Sequence, residues 1–360
     1  MYEQRILKLR AKMQEKGLDA VLLIGDANRN YMSGFKGDES FSLISKDKAI
    51  FMVDSRFIEQ ASNEVKDYDV VEYSKNGETL YKYLKKLVNE LNIKKLGFEE
   101  DVVTYLRYSN IKKATLCELI PLSGMVEELR AIKNENEIEI MQKAAAIADD
   151  AFSHMLKFIK IGMTEREIGI ELEFTMKKLG ASGLSFPSIV ASGVRSSLPH
   201  GQATDKKIAD GEFLTLDFGC IYKEYCSDMT RTVAIGNIST EMKKIYNIVL
   251  EAQLEALKSY KSGVTGKSVD KVARDIIGSY GYGDKFGHSL GHGVGRQIHE
   301  QPAISSKAEK LLQSGMVVTD EPGIYISGFC GVRIEDILVI TDEGSRVLSK
   351  SPKGLISIGE

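Results

Sequence analysis

Several things this chain of 360 residues lacks narrow its function before any motif is read. It has no surplus of either charge: 48 Lys and Arg stand against 51 Asp and Glu, leaving a net charge of -3. Such a balance gives no electrostatic attraction to nucleic acid or to an anionic membrane, and neither is expected as a partner. No run of about 18 apolar residues occurs, so no spanning helix is expected. The opening MYEQRILKLRAKMQEKG is charged and amphipathic, with no continuous apolar stretch behind it, and reads as a helix rather than a signal peptide. The four cysteines (Cys117, Cys220, Cys226, Cys330) lie far apart and form no Cys-x-x-Cys pair. That argues against a disulfide framework and for a reducing compartment, so a cytoplasmic location is expected.

What is present is an ordinary globular composition, 43% hydrophobic and 28% charged, at a length that suggests about two domains. The division expected from the sequence is residues 1–122 and 123–360. Ile6, Leu9 and Met13 mark one face of an opening helix that Gly17 can end. Strand patterns follow at 20–24, 41–44, 49–53, 95–98 and 116–120, with helical patterns at 78–91 and 104–114. This is an α/β domain, and it carries neither a histidine nor a carboxylate cluster of metal spacing.

The second region is helical from 126 to 160 with a break near Asn134. Thr164 and Glu167 then form the capping-box pattern of a further helix, which Gly180 ends. Lys160-Ile161-Gly162-Met163-Thr164 recurs 101 positions later as Lys261-Ser262-Gly263-Val264-Thr265. In each copy a helix pair leads to a loop bearing glycine and histidine, and then to an apolar hairpin bearing acids. The expected architecture is an α+β domain with a pseudo-twofold repeat and a site between its halves.

The first hairpin, FLTLDFGCIYKEYCSDMTRTVAI, alternates Leu214, Leu216 and Phe218 with polar positions. A turn centred between Tyr222 and Lys223 would set Asp217 directly opposite Asp228. In the second, VVTDEPGIYISGFCGVRIEDILVI, a turn centred on Gly328 sets Glu321 opposite Glu335. Carboxylates this close on an apolar face repel one another unless a cation lies between them. Four of them suit two divalent ions about 3.5–4 Å apart. Histidine is concentrated nearby, at His200 and, within GHSLGHGVGRQIHE, at His288, His292 and His299. Imidazole among carboxylates favours transition metals over magnesium or calcium. Each feature has a plainer reading: a solvated acid pair, a Pro-Gly turn after Glu321, a structural histidine. Their joint occurrence in matched hairpins is what favours a metal site. The run from Gly291 to Gly295 lacks the strand-then-helix context of a phosphate loop. Arg333 shares a strand face with Glu335 and is expected to brace a carboxylate. His154, Cys226 and Cys330 read as structural.

Taken together, LDFGCIYKEYCSDMTRT, GHSLGHGVG, TDEPGIYI, GVRIED and LSFPSIVASGVRSSLPHG resemble the aminopeptidase P/prolidase branch of the pita-bread metallopeptidases. NYMSGF and FMVDSRFIEQA resemble the creatinase-type amino domain that accompanies it. The resemblance implies hydrolysis of peptides with proline in second position by two divalent transition-metal ions, manganese first, with cobalt or zinc as alternatives. By position it implies Asp217 on one metal, Asp228 and Glu335 bridging both, and His292 and Glu321 completing the second. It places His200, His288 and His299 against the substrate, and Glu321, at once ligand and carboxylate, is expected to shuttle a proton to the leaving imide nitrogen. It also implies a homodimer. One departure concerns substrate length. Strict dipeptidases of the branch hold the substrate's carboxylate with an arginine between the last histidine and the first glutamate, whereas the stretch from His299 to Glu321 offers only Lys307 and Lys310. An aminopeptidase acting on longer peptides is therefore expected, with the strict dipeptidase, a metal-free creatinase-like hydrolase, a methionine aminopeptidase and an inactive scaffold as rivals.

Overall fold

The computed structural model describes residues 2–359, which divide into two compact units, Met1–Arg130 and Ala131–Glu360. In the first, α1 (Tyr2–Glu15) buries Arg5, Ile6, Leu9 and Met13, and Gly17 follows in the left-handed conformation (φ 62°). The chain continues through β1 (Ala20–Leu23), α2 (Asp26–Ser33), β2 (Phe41–Ser45), β3 (Ala49–Val53), α3 (Ile58–Glu64), β4 (Asp69–Glu72), α4 (Leu80–Glu90), β5 (Lys95–Glu99), α5 (Tyr105–Thr115) and β6 (Glu118–Leu122). Its sheet runs β4-β3-β2-β1-β5-β6, antiparallel at β1/β2/β3 and parallel elsewhere. The short α2, α3 and β4 were not expected. The sequence of α2, DANRNYMS, is poor in strong helix formers. Its start is held by Glu99, which accepts from the backbone of Ile24 and Gly25 and from the Asn28 amide. Met125 and Val126 join the core of this unit, which carries its end past the boundary expected at 122/123.

After α6 (Glu127–Ala131), the second unit opens with α7 (Glu135–Phe158) and α8 (Glu165–Lys178). Both begin with the reciprocal side-chain box that their sequences announce, Asn134 with Glu137 and Thr164 with Glu167. Then come β7 (Gly183–Leu184), β8 (Ile189–Ser192), β9 (Glu212–Phe218), β10 (Cys220–Tyr222), β11 (Tyr225–Cys226) and β12 (Met229–Ile235). The second helix pair, α9 (Thr240–Ser259) and α10 (Gly266–Ser279), leads to β13 (Gly291–Gly293), β14 (Glu300–Ile304), β15 (Val317–Asp320), β16 (Gly323–Ile326), β17 (Cys330–Arg333), β18 (Asp336–Ile340), β19 (Ser345–Val347) and β20 (Ser357–Ile358).

The repeat is real. Helices α7 and α8 bury Phe152, Ile168 and Leu172 against Leu214, Leu216 and Val233 of the sheet β20-β12-β9-β8. Helices α9 and α10 bury Val249, Ala252 and Ala273 against Val318 and Leu338 of the sheet β14-β13-β15-β18-β19. The two helix–helix joints match in detail. Gly162 and Gly263 both have positive φ (89° and 86°), and Thr164 and Thr265 each cap the helix that follows. This is an α/β amino domain joined to an α+β pita-bread domain with a pseudo-twofold repeat. All four cysteines are free thiols, Cys226 and Cys330 buried. His154 bonds Glu171 across α7 and α8 (2.7 Å) and stacks on Phe158. Among the described residues no helix is long and apolar enough to cross a membrane.

Candidate metal centre

The register of each hairpin decides where its acids stand. In the second hairpin, Gly323 pairs with Arg333 and Asp320 with Asp336, so Glu321 and Glu335 face each other as expected. They lie where the ladder is interrupted between β15/β18 and β16/β17. The first hairpin differs from expectation. Tyr222 pairs with Tyr225 and Asp217 with Thr230, so the turn falls at Lys223 and Glu224, one residue later. Both turn residues have positive φ (45° and 68°), the geometry of a type I′ turn. Asp228 is thus the diagonal neighbour of Asp217 rather than its direct partner, still on the same face. Gly219 lets the strands close there, since a Cβ at that position would sit 1.9 Å from the Ser227 carbonyl oxygen.

The two hairpins and the histidine loop converge on a cavity of about 490 Å3, lined among others by Asp217, Asp228, Glu321, Glu335, Arg333, His200, His288, His292 and His299. Every site residue expected from the sequence borders it. Ligand atoms of Asp228, His292 and Glu335 all lie within 4.8 Å of one another. His292 Nε2 is 3.6 Å from Asp228 Oδ2 and 3.4 Å from Glu321 Oε1. The His292 and His299 rings meet edge to face at 4.3 Å.

Burial dominates the electrostatics. It pushes the Glu321 carboxyl up to about 8, with Asp217 adding to the rise against the opposing pull of Arg333. Asp228 and Glu335 are driven well above the ordinary carboxylate range by burial and by each other's neighbourhood of acids. His288 and His292 are pushed down to about 4, chiefly by burial, so both are neutral imidazoles near pH 7. Neutral imidazole and crowded carboxyl oxygens form a donor set that a divalent cation satisfies. Asp217 gives the sharpest sign of fit. Its Oδ2 accepts from Arg333 Nη2 (2.6 Å), while its buried Oδ1 has no hydrogen-bond partner. An ionised oxygen left in that state is costly unless a cation completes it.

Other residues support this set; of these, only Arg333 was picked out from the sequence. Arg333, which was expected to brace an acid, braces Asp217. It also donates to Thr230 Oγ1 (3.0 Å), the Pro199 carbonyl (3.1 Å) and the Tyr325 hydroxyl (2.8 Å). Tyr325 in turn contacts His288 Nε2 at 2.8 Å, and His288 Nδ1 donates to the Ser289 carbonyl at 2.8 Å. Both ring nitrogens of His288 are therefore engaged within the protein, whereas His200 and His299 are exposed. Thr230 and Thr319 each bond a glutamate, Glu335 and Glu321 respectively. A T-x-E spacing, which puts the hydroxyl on the acid's strand face, is the signal that would have found Thr319; Thr230 reaches an acid of the other hairpin and carries no such signal. Arg333 is the only lysine or arginine among the described residues lining the cavity; Lys307 and Lys310 are exposed and do not border it.

Comparison with known proteins decides the family. Residues 139–342 match the model of metallopeptidase family M24, and residues 5–132 match the creatinase/prolidase N-terminal domain. The chain belongs to metallopeptidase family M24. It is 47% identical to an uncharacterized peptidase of Bacillus subtilis, over 98% of this chain and 99% of that one. Among solved structures it is similar to a Xaa-Pro dipeptidase from Bacillus anthracis, with 49% identity, a TM-score of 0.97 and coverage of 99% and 100%. It is also similar to an X-Pro aminopeptidase from Thermotoga maritima, with 43% identity, a TM-score of 0.90 and coverage of 95% and 98%. It is an M24 enzyme with a candidate divalent-metal site.

Proposed function

We propose that this M24 enzyme removes the first residue from peptides whose second residue is proline. Asp217, Asp228, His292, Glu321 and Glu335 would hold two divalent transition-metal ions, manganese foremost among them. When bound, such ions supply an acidified water as nucleophile and a Lewis acid for the scissile carbonyl. The chain's own residues do the rest. Glu321 passes a proton to the departing imide nitrogen. His299, beside His292 in the cavity wall, donates to the carbonyl oxygen as charge grows there. His288, fixed through Tyr325 to the Arg333–Asp217 pair, shapes the neighbouring wall, and His200 faces the bound peptide from the loop after Pro199.

The observation that carries this reading is the convergence of four acids, three of them buried, and four histidines on one cavity. A related point bears on substrate length. Among the described residues the one cationic side chain at the wall is Arg333, and its guanidinium is bound to Asp217, Thr230, Tyr325 and Pro199. No uncommitted positive charge among the described residues lines this wall to grip the C-terminal carboxylate of a dipeptide, which favours longer substrates. The strict-dipeptidase reading has its own support in the name of the Bacillus anthracis protein. Release of free amino acid from an Xaa-Pro dipeptide, a C-terminally amidated Xaa-Pro-Xaa tripeptide and an Xaa-Ala control, with chelated protein re-supplied with Mn, Co or Zn, tests all of this. Metal-dependent release from the Xaa-Pro pair only, equal or better for the tripeptide, is the expected result. Release confined to the dipeptide supports the strict dipeptidase, and release from Xaa-Ala overturns the proline rule.

A further inference from the structure

Two fully buried hydroxyls, Thr319 and Thr230, occupy related places in the two hairpins. Thr319 Oγ1 accepts from the backbone N–H of His292 (3.1 Å) and contacts Glu321 Oε1 (3.1 Å). Thr230 Oγ1 accepts from Arg333 Nε (3.0 Å) and contacts Glu335 Oε2 (2.6 Å). A peptide N–H and a guanidinium N–H can only donate. Toward an ionised glutamate each hydroxyl turns its own proton, and the glutamate presents a lone pair to it. One oxygen of each carboxylate is fixed in direction, and with it the plane in which the other oxygen lies.

The two threonines differ in what they link. Thr319 joins two proposed ligands of one ion, the strand that presents His292 and the carboxylate of Glu321. Thr230 reaches across from the first hairpin to Glu335 of the second, the residue assigned to both ions. The Thr319 carbonyl is itself held by the Tyr260 hydroxyl (3.1 Å), so the backbone beneath this hydroxyl is tied from the helix side as well.

We infer that Thr319 and Thr230 are positioning residues for the metal centre, Thr319 governing the affinity of the single ion held by His292 and Glu321, and Thr230 that of both ions. The inference rests on the ligand set proposed above. Partners that orient metal ligands set affinity by roughly 10- to 100-fold, and a hydroxyl is what these positions supply, since valine of the same shape removes it.

The test is calorimetric titration of Mn2+ into metal-free protein. Wild-type protein is expected to show two binding events. In Thr319→Val one of them weakens by roughly 10- to 100-fold while the other stays, and Thr319→Ser, which keeps the hydroxyl, returns to wild-type behaviour. Thr230→Val weakens both events and provides an independent arm should Thr319→Val fail to fold, as judged by its thermal unfolding without metal. Two unchanged events in either valine variant, or a serine variant as weak as the valine one, overturn the inference and leave the proposed ligands standing. A wild-type protein that takes up no Mn2+ overturns the ligand set and this inference together.

Discussion

Arg333 Nη2 lies 2.6 Å from Asp217 Oδ2, so an acid proposed to bind metal is already held by a buried cation from the opposite half of the domain. That guanidinium serves four acceptors at once, which a lysine ammonium cannot match in geometry. Arg333→Met is expected to destabilise the metal-free protein by about 3–5 kcal/mol, because it strands a buried charge. Arg333→Lys should recover only part of this. Urea unfolding of the three proteins measures it, and a loss in Arg333→Met below about 1 kcal/mol, the range of a surface pair, would show that the pair contributes little.

Stability of the metal-free enzyme should fall as pH rises from 6.5 to about 8. Glu321 is lifted from 4.5 to about 8, so the folded state keeps a proton that the unfolded chain has released, and raising pH favours unfolding. His288 and His292, lowered from 6.5 to about 4, act oppositely, but their contribution is lost only as pH falls below 6.5. In the window between, each retained proton contributes a slope of about 1.4 kcal/mol per pH unit. Mn2+ should flatten the slope by taking the proton's place. Urea midpoints at several pH values, with and without Mn2+, provide the check, and stability that rises with pH in metal-free protein would contradict it.

Asp228 stands among like charges, raised by burial, Asp217 and Glu321. Asp228→Asn is expected to abolish metal-dependent hydrolysis and, at pH 8 without metal, to unfold at a higher temperature than wild type. Gain of stability with loss of function is the signature of a site kept under electrostatic strain. An active variant, or one less stable than wild type under those conditions, speaks against the assignment.

Gly219→Ala tests the close approach that brings Asp228 to Asp217. The added methyl would overlap the Ser227 carbonyl oxygen at 1.9 Å, and relief requires the strands to part. A cost of about 1–3 kcal/mol together with weaker Mn2+ binding in calorimetry is the expected pair of outcomes. Lost stability with unchanged metal affinity would show that the approach serves folding alone.

How far the sequence speaks is best seen by setting the two hairpins side by side. Gly328, with φ 75°, marks the second turn, so centring on it gives the correct opposition of Glu321 and Glu335. The first turn rests on Lys223 and Glu224 in positive φ, residues that turn preferences do not flag, and the register inferred there slips by one. Local signals with near partners, such as Thr164 with Glu167, could be read directly. Helix α2 could not, because the group that secures its start, Glu99, comes from a distant strand. The acids and histidines were legible by type and spacing. The bonds from Arg333 to Asp217 and from Thr230 to Glu335 were not, because each joins one hairpin to the other and leaves no trace in either hairpin's own pattern.

Those crossed bonds have a consequence for the order in which the chain is made. Asp217 and Asp228 leave the ribosome while Glu321 and Glu335 are still untranslated, and each early acid or hydroxyl waits for a partner near the other end of the domain. With the ligand set proposed above, this chain would pass most of its synthesis without the means to cut a peptide bond. Its hydrolytic capacity arrives late and all at once, when the last hairpin closes over the first.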